Sequence, residues 1–506
     1  MCGICGFVGI EDKDLLNKMS EKIIHRGPDE YDYHVDKNIG MATRRLCIID
    51  IIDGAQPMSR DGKTYIVYNG ELFNYKALRS KLEKMGCKFY TESDTEVVLA
   101  AYEKLGVKCL DEFDGQFAIA IWDGKKLFLA RDPLGIMPLY YCYHNHNLYF
   151  ASEIKALLEV SDELREPREL SFDAYFSGAD CTPFKNIYHM MPSCYMIAEK
   201  IKGHLSIDWK KYHSFPKQLS KSSIGEATRT VRKLVEQGIT NQLVADVKVG
   251  TLLSGGLDSS IVSAVAADNY KNLNTFSIGT QEANEFVPAR RMAELIESQH
   301  HEVILEEDRI PKILPKIIYH LENYNPRIVQ TSIPNYEIVR VASRNVRVIL
   351  SGEGSDEHFC GYDKWFRPKY NGDHDGQLHQ EVTRHVNSLF QQNLLRVDKI
   401  SMAHSVESRV PLLDKSLINY SMTLDPYLKM WGSIGKYVLR SAFWDKVPAH
   451  ITWGNKQYFS LGAGIPAMLK NLYNIETPEE KSDLYKSIFN VLFIEGKKPE
   501  AVEVMM

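Results

Sequence analysis

Val247-Lys248-Val249-Gly250-Thr251-Leu252-Leu253 runs directly into Ser254-Gly255-Gly256-Leu257-Asp258-Ser259-Ser260, and then into Ile261-Val262-Ser263-Ala264-Val265-Ala266-Ala267. The first block reads as a buried apolar strand, the second as a glycine-bearing loop, the third as a helix. Glycines let backbone NH groups approach an anion, the serine hydroxyls add donors, and the helix N-terminus contributes partial positive charge. The loop is therefore a candidate phosphate cradle; its plainer alternative is a Gly-Ser turn that caps a helix. It lacks the lysine of the P-loop pattern, which points to a different phosphate chemistry.

Working outward, Thr275–Ile278 and Val346–Leu350 read as further strands, each followed by a polar loop, with helical patterns between. That alternation predicts an α/β doubly wound parallel sheet from about residue 225 onward, with ligands beyond the carboxyl ends of its strands. The first 200 residues have another grammar. Cys5–Ile10 and Thr64–Tyr68 are strand-like, and Gln116–Trp122 and Leu127–Ala130 flank the polar turn Asp123-Gly124-Lys125-Lys126 as a hairpin. Helices are expected at Leu15–Ile24 and at Tyr75–Met85, ahead of Gly86. The two halves join within 195–225.

The 506 residues allow two to four domains. With 61 Lys and Arg against 66 Asp and Glu, the net charge of -5 gives no global field for nucleic acid. No apolar run approaches the roughly 18 residues needed to span a bilayer, so no membrane is expected. Nine cysteines without a dense pairing pattern suggest reduced thiols and a cytoplasmic setting. The apolar start Met1–Ile10 lacks a basic leader and a small-residue cleavage site, and reads as a buried strand. Removal of Met1 would leave Cys2 with a thiol and its own α-amine. That is the equipment of an N-terminal nucleophile, with amine as base and thiolate as attacking group. Cys2 and Cys5 also form a C-x-x-C pair, so a redox or metal role is the competing reading.

The loop Ser254–Ser260 resembles the pyrophosphate-binding motif of enzymes that adenylate a substrate with ATP. Together with Ser351-Gly352-Glu353-Gly354-Ser355-Asp356-Glu357 and Val406-Glu407-Ser408-Arg409-Val410-Pro411-Leu412-Leu413-Asp414, it closely resembles the glutamine-dependent asparagine synthetases. The resemblance covers nearly the whole chain. It implies an α+β N-terminal-nucleophile glutaminase domain over 1–206, followed by an α/β doubly wound ATP-pyrophosphatase-type synthetase domain over 207–506. It further implies that Cys2 attacks glutamine, with Asn69 and Gly70 as oxyanion donors. Arg45, with Ile49, would bind the glutamine α-carboxylate, and Asp94 would face its α-ammonium, with Glu71 among the glutamine-binding residues. His25, in His25-Arg26-Gly27-Pro28-Asp29, reads as support for this site and not as its base.

At the second site the resemblance places Leu253 and Ile278 beside adenine or ribose, and Ser351 and Gly352 near the nucleotide. Ser254, Gly255, Gly256, Asp258, Ser259 and Ser260 would hold pyrophosphate, with Mg2+ on Asp258 and Asp356. Glu353 is the expected carboxylate for adenylation or ammonia attack, and Lys456 the cation for the α-phosphate. Glutamine, aspartate and ATP are the implied substrates, ammonia the shared intermediate, and a homodimer the implied assembly. Gln330, Cys360, Gln457 and Leu461, with Thr43 and Cys47, depart from the related pattern. They leave room for another acceptor carboxylate, as in a cyclising synthetase, or for a nucleotide-binding regulator without turnover.

Overall fold

The computed structural model describes residues 1–169, 179–201, 204–280, 286–371, 376–454 and 464–503. Its first half holds two six-stranded antiparallel sheets. One runs in the order Ile187–His189, Tyr140–His144, Asn147–Ala151, Cys2–Val8, Ile39–Arg45, Glu30–Val35. The other runs His204–Lys211, Cys194–Ile201, Lys126–Arg131, Gly115–Trp122, Tyr65–Leu72, Met58–Ser59. The sheets pack on each other through Cys2–Val8 and Tyr65–Leu72. Helix Lys13–Glu21 covers the outer face of the first, and Asp94–Leu105 the outer face of the second.

Strand Cys2–Val8 is buried at every position. Its side chains alternate, as a two-residue period requires. Ile4 and Val8 enter the core between the sheets, whereas Cys5 and Phe7 pack with Leu16, Met19 and Ile23 of the outer helix. Cys2 and Cys5, three residues apart on a strand, thus lie on opposite faces, and all nine cysteines are free thiols. The first helix starts two residues earlier than its periodicity suggests, because Asp12 caps it and accepts from the Leu15 NH at 2.9 Å.

The second half is built on a five-stranded parallel sheet. Its order is Gln299–Ile304, Asn274–Gly279, Val249–Leu252, Val348–Leu350, Glu407–Arg409. The chain builds outward from Val249–Leu252 in one direction and then from Val348–Leu350 in the other, so the switch in winding falls between these central strands, where an open α/β sheet binds its ligand. The helix after Val249–Leu252 begins at Leu257, four residues earlier than expected. Gly256 is its extended N-cap, so Leu257–Ser260 form its first turn and not a loop.

Strand His204–Lys211 passes straight through the boundary drawn at 206/207. The second of the antiparallel sheets therefore continues to Lys211, and the first helix of the other half begins at Ile224. The halves interlock. Arg347 donates twice to Asp29, at 3.0 and 2.7 Å, and Asp246 takes the Asp50 NH at 2.8 Å while its own NH donates to the Ile48 carbonyl at 2.9 Å. Among the described residues, no helix is long and apolar enough to cross a membrane.

Candidate active sites

Cys2 opens the central strand of the first sheet, paired with Arg45 on the neighbouring strand. Its backbone NH donates to Asn69 Oδ1 at 3.0 Å. Asn69 is fully buried, and its Nδ2 has no hydrogen-bond partner. An unsatisfied buried donor is costly unless a ligand uses it. Beside Cys2, this amide is available to an acceptor atom of a ligand. Gly70 follows on the same strand, where a Cβ would lie 2.2 Å from the Gln116 carbonyl oxygen, so only glycine lets these strands approach.

Acids gather next to Cys2 and Asn69. Asp94 sits at the start of helix Asp94–Leu105 and accepts from the Leu72 NH at 3.0 Å. Burial pushes its carboxyl up to about 6, against the pull of that NH. Burial and then the charges of Glu407 and Asp94 push Glu71 well above the usual carboxylate range, and its Oε2 has no hydrogen-bond partner. Glu407 comes from the edge strand of the synthetase sheet and takes the Met1 ammonium at 2.6 Å, both groups fully buried. Although burial opposes ionisation, that ammonium and Arg409 hold Glu407 below its ordinary value. Neither Glu407 nor Arg409 was singled out as a site residue from sequence, although both lie in a quoted motif.

Arg45 is buried and tightly held. Nη1 donates to Glu30 Oε2 at 2.8 Å, and Nη2 to the Asp50 carbonyl at 2.6 Å and the Ile49 carbonyl at 3.2 Å. A substrate carboxylate reaching this guanidinium must share it with Glu30, which sequence did not foretell. Ile49 contributes its carbonyl to the arrangement. His25 pairs with Glu153 at 3.1 Å and packs on the His320 ring at 4.6 Å between centroids.

The second site is a cavity of about 940 Å³ beyond the carboxyl ends of the central strands. Ser254, Gly255, Gly256, Asp258, Ser259, Ile278, Ser351, Gly352, Glu353 and Asp356 all line it. Ser259 Oγ accepts from the Ser254 NH at 3.2 Å and sits 2.9 Å from Ser254 Oγ, closing the turn at the uncapped helix start. Gly255 has φ +74°, and a Cβ there would meet the Ala289 nitrogen at 2.7 Å. A Cβ on Gly352 would lie 2.8 Å from the Ser259 nitrogen, so the two glycine loops touch.

Two of the expected residues do not line the cavity. Leu253 is fully buried in the core, and its predecessor Leu252 lines the cavity instead, because side chains on an extended segment alternate sides. Ser260, in the first helical turn, likewise turns inward and does not line the cavity. Lys456, Gln457 and Leu461 lie outside the described residues. Gln330 lines the cavity, its side-chain NH2 bonded to the Pro326 carbonyl at 3.0 Å. Cys360 is buried with φ 59°, a left-handed conformation, which accounts for glycine in the related pattern.

Lys436 was not foreseen. Its Nζ bridges Asp258 Oδ2 at 2.5 Å and Asp356 Oδ1 at 2.6 Å. One cation thus already draws together the two carboxylates expected to hold magnesium. Among the described residues no three His, Cys, Asp or Glu gather as a metal cage. Two carboxylates nevertheless suit Mg2+, which keeps waters and takes further ligands from substrate phosphates. Glu353 pairs with Arg396, while Glu357 accepts from the Tyr362 hydroxyl and from Asn393 Nδ2, each at 2.8 Å. Burial, with Asp356 and Glu353 nearby, pushes the Glu357 carboxyl up to about 7.

A buried Cys2 beside an unpartnered Asn69 amide, joined to a doubly wound sheet with a glycine loop at its switch point, fits an amide-forming ligase that draws its nitrogen from glutamine. The profile described as "Glutamine amidotransferase domain" matches residues 1–212, and that described as "Asparagine synthase" matches 230–377 and 370–490. Asparagine synthetase B (glutamine-hydrolysing) of Escherichia coli K12 is 32% identical, over 97% of this chain and 91% of its own. Asparagine synthetase 3 of Arabidopsis thaliana is 34% identical, over 92% and 79%. The chain belongs to the glutamine-hydrolysing asparagine synthetase family. Among solved structures, the glutamine phosphoribosylpyrophosphate amidotransferase of B. subtilis is 17% identical over 56% of this chain and 67% of that one, with a TM-score of 0.33, and adds nothing to the assignment.

Proposed function

We propose that this chain makes asparagine from aspartate, ATP and glutamine through a β-aspartyl-AMP intermediate. The observation that carries the reading is the pairing, in one chain, of Cys2 beside the unsatisfied Asn69 amide with a glycine loop facing Glu353. Once Met1 is removed, the Cys2 nitrogen becomes an amine 3.0 Å from Asn69 Oδ1. That amine takes the thiol proton, and the thiolate attacks the glutamine amide carbon. Asn69 Nδ2 and the Gly70 NH receive the oxyanion, ammonia leaves, and water hydrolyses the thioester to glutamate. Asp94 meets the substrate α-ammonium and Arg45 its α-carboxylate, with Glu71 beside them.

In the second cavity, Ser254–Ser259 and the first helical turn hold pyrophosphate, with Ile278, Ser351 and Gly352 around the nucleoside. The aspartate β-carboxylate attacks the α-phosphorus and pyrophosphate departs. Ammonia then attacks the acyl carbon and AMP leaves, with Glu353 placed to take a proton. Asp258 and Asp356 would hold Mg2+ together with ATP, and the ion would supply charge neutralisation on the phosphates; Lys456 would supply a further cation on the resemblance alone. A cytoplasmic setting, supported by nine unpaired thiols, and a homodimer belong to the same proposal.

The test is incubation with MgATP, glutamine or ammonium, and a panel of carboxylic amino acids, with products identified by mass spectrometry. Asparagine and AMP from aspartate are expected. Amide formation on another carboxylate, and none on aspartate, would replace the acceptor. Cys2→Ala should abolish the glutamine-dependent product and leave the ammonia-dependent one.

A further inference from the structure

Helix Asn393–Met402 lies between the two sites and touches the working parts of both. Successive helical residues turn by about 100°, so Arg396 and Asp398 project roughly 200° apart, to opposite sides of the rod. On one side Arg396 pairs with Glu353, and Asn393 holds Glu357. On the other, Asp398 takes both arms of Arg26: Oδ2 from Nη1 at 2.7 Å and Oδ1 from Nη2 at 2.9 Å. Arg26 in turn grips the nucleophile's own backbone, its Nε donating to the Cys2 carbonyl at 3.1 Å. The links are unbroken from Cys2 through Arg26, Asp398 and the helix to Arg396 and Glu353.

The helix is buried from Leu394 to Met402, so it can shift as a packed body but has little room to bend. Lys399 ties it to Glu322, whose carboxylate also accepts from the Ile154 and Lys155 backbone NH groups at 2.8 and 2.6 Å. Holding two domains together does not require ions, since apolar packing does so without the cost of desolvating charge. What the Arg26–Asp398 fork adds is a fixed orientation.

We propose that this helix couples the two reactions, with Arg26 and Asp398 as positioning residues. On the functional reading above, loading the synthetase cavity moves Glu353 and Arg396, and the rod carries that displacement to the Cys2 backbone. Glutamine is then hydrolysed in step with amide synthesis.

The test uses the full chain with Asp398→Asn and three measurements: asparagine from ammonia, glutamate from glutamine alone, and asparagine made per glutamate when all substrates are present. The first two should stay within about threefold of the parent, while the third falls about fivefold or more, the lower end of ordinary coupling energies. Asp398→Glu should recover part of it. An unchanged ratio would overturn the proposal, as would a parallel fall in all three, which marks a purely structural pair. If the Asn variant does not fold, Arg26→Lys keeps the charge but loses the fork, and an unchanged ratio there overturns the proposal equally. Failure of the unmodified chain to make asparagine from ammonia would instead sink the functional reading, so the two failures are distinct.

Discussion

Lys436→Met removes the cation that holds Asp258 and Asp356 together. The Lys436 side chain is 4% exposed, and those of the two acids 15% and 12%. Removing one partner of a buried pair costs about 3–5 kcal/mol, and the slight exposure of the acids argues for the lower end, ~3 kcal/mol. Unfolding entropy of about 2.1 cal/mol/K per residue gives roughly 0.6 kcal/mol/K for a synthetase domain of roughly 280 residues, so the melting temperature should fall by ~5 °C. The same vacancy becomes a better seat for a divalent ion. Magnesium chloride without nucleotide should restore most of the loss in the variant and barely move the parent, where the ammonium already occupies the place. Differential scanning fluorimetry with and without magnesium reads both effects. A variant as stable as the parent, or equal magnesium shifts in both, would refute the assignment of these acids to one cation seat.

Asn69→Ala should lower kcat for glutamine hydrolysis by about 10²–10³, the worth of one oxyanion donor, and leave ammonia-dependent synthesis near its parent rate. Glu353→Ala should block product from either nitrogen source; ammonia-dependent turnover at the parent rate would remove Glu353 from the chemistry. Asp94 must be ionised to hold an ammonium, and its folded value is raised to about 6. Glutamine kcat/KM should therefore fall as pH drops through that value, and Asp94→Asn should flatten this limb of the profile.

The two-domain plan was legible because the period of apolar residues changes along the chain, and because Ser254–Ser260 announces the strand-loop-helix unit at the switch point. The boundary at 206/207 was not, although Leu205, Ile207 and Trp209 alternate with polar residues across it, because the strand lies at the sheet edge with only Leu205 and Ile207 half-buried. The placement of Asn69 beside Cys2, of Asp94 near Glu71 and of Glu353 in the second cavity agrees with the short motifs that single them out. Lys436 and Arg396 were not, because each acquires its role from a carboxylate far away in sequence, and an isolated cation in a helix or turn looks like solvent-facing charge. The inward turn of the Leu253 and Ser260 side chains was not legible either, since a motif does not encode which way a side chain faces.

The three-residue strand Glu407–Arg409 has a consequence for exchange of parts between related enzymes. It belongs to the synthetase by connectivity and hydrogen bonding, yet its Glu407 carboxylate takes the buried Met1 ammonium next to Cys2. A chimaera cut between residues 211 and 224 would leave the transplanted glutaminase with a carboxylate beside Cys2 from a foreign donor. Such a hybrid needs Glu407 and Arg409 to travel with the first 211 residues, so the unit of inheritance for the surroundings of Cys2 is discontinuous in the chain.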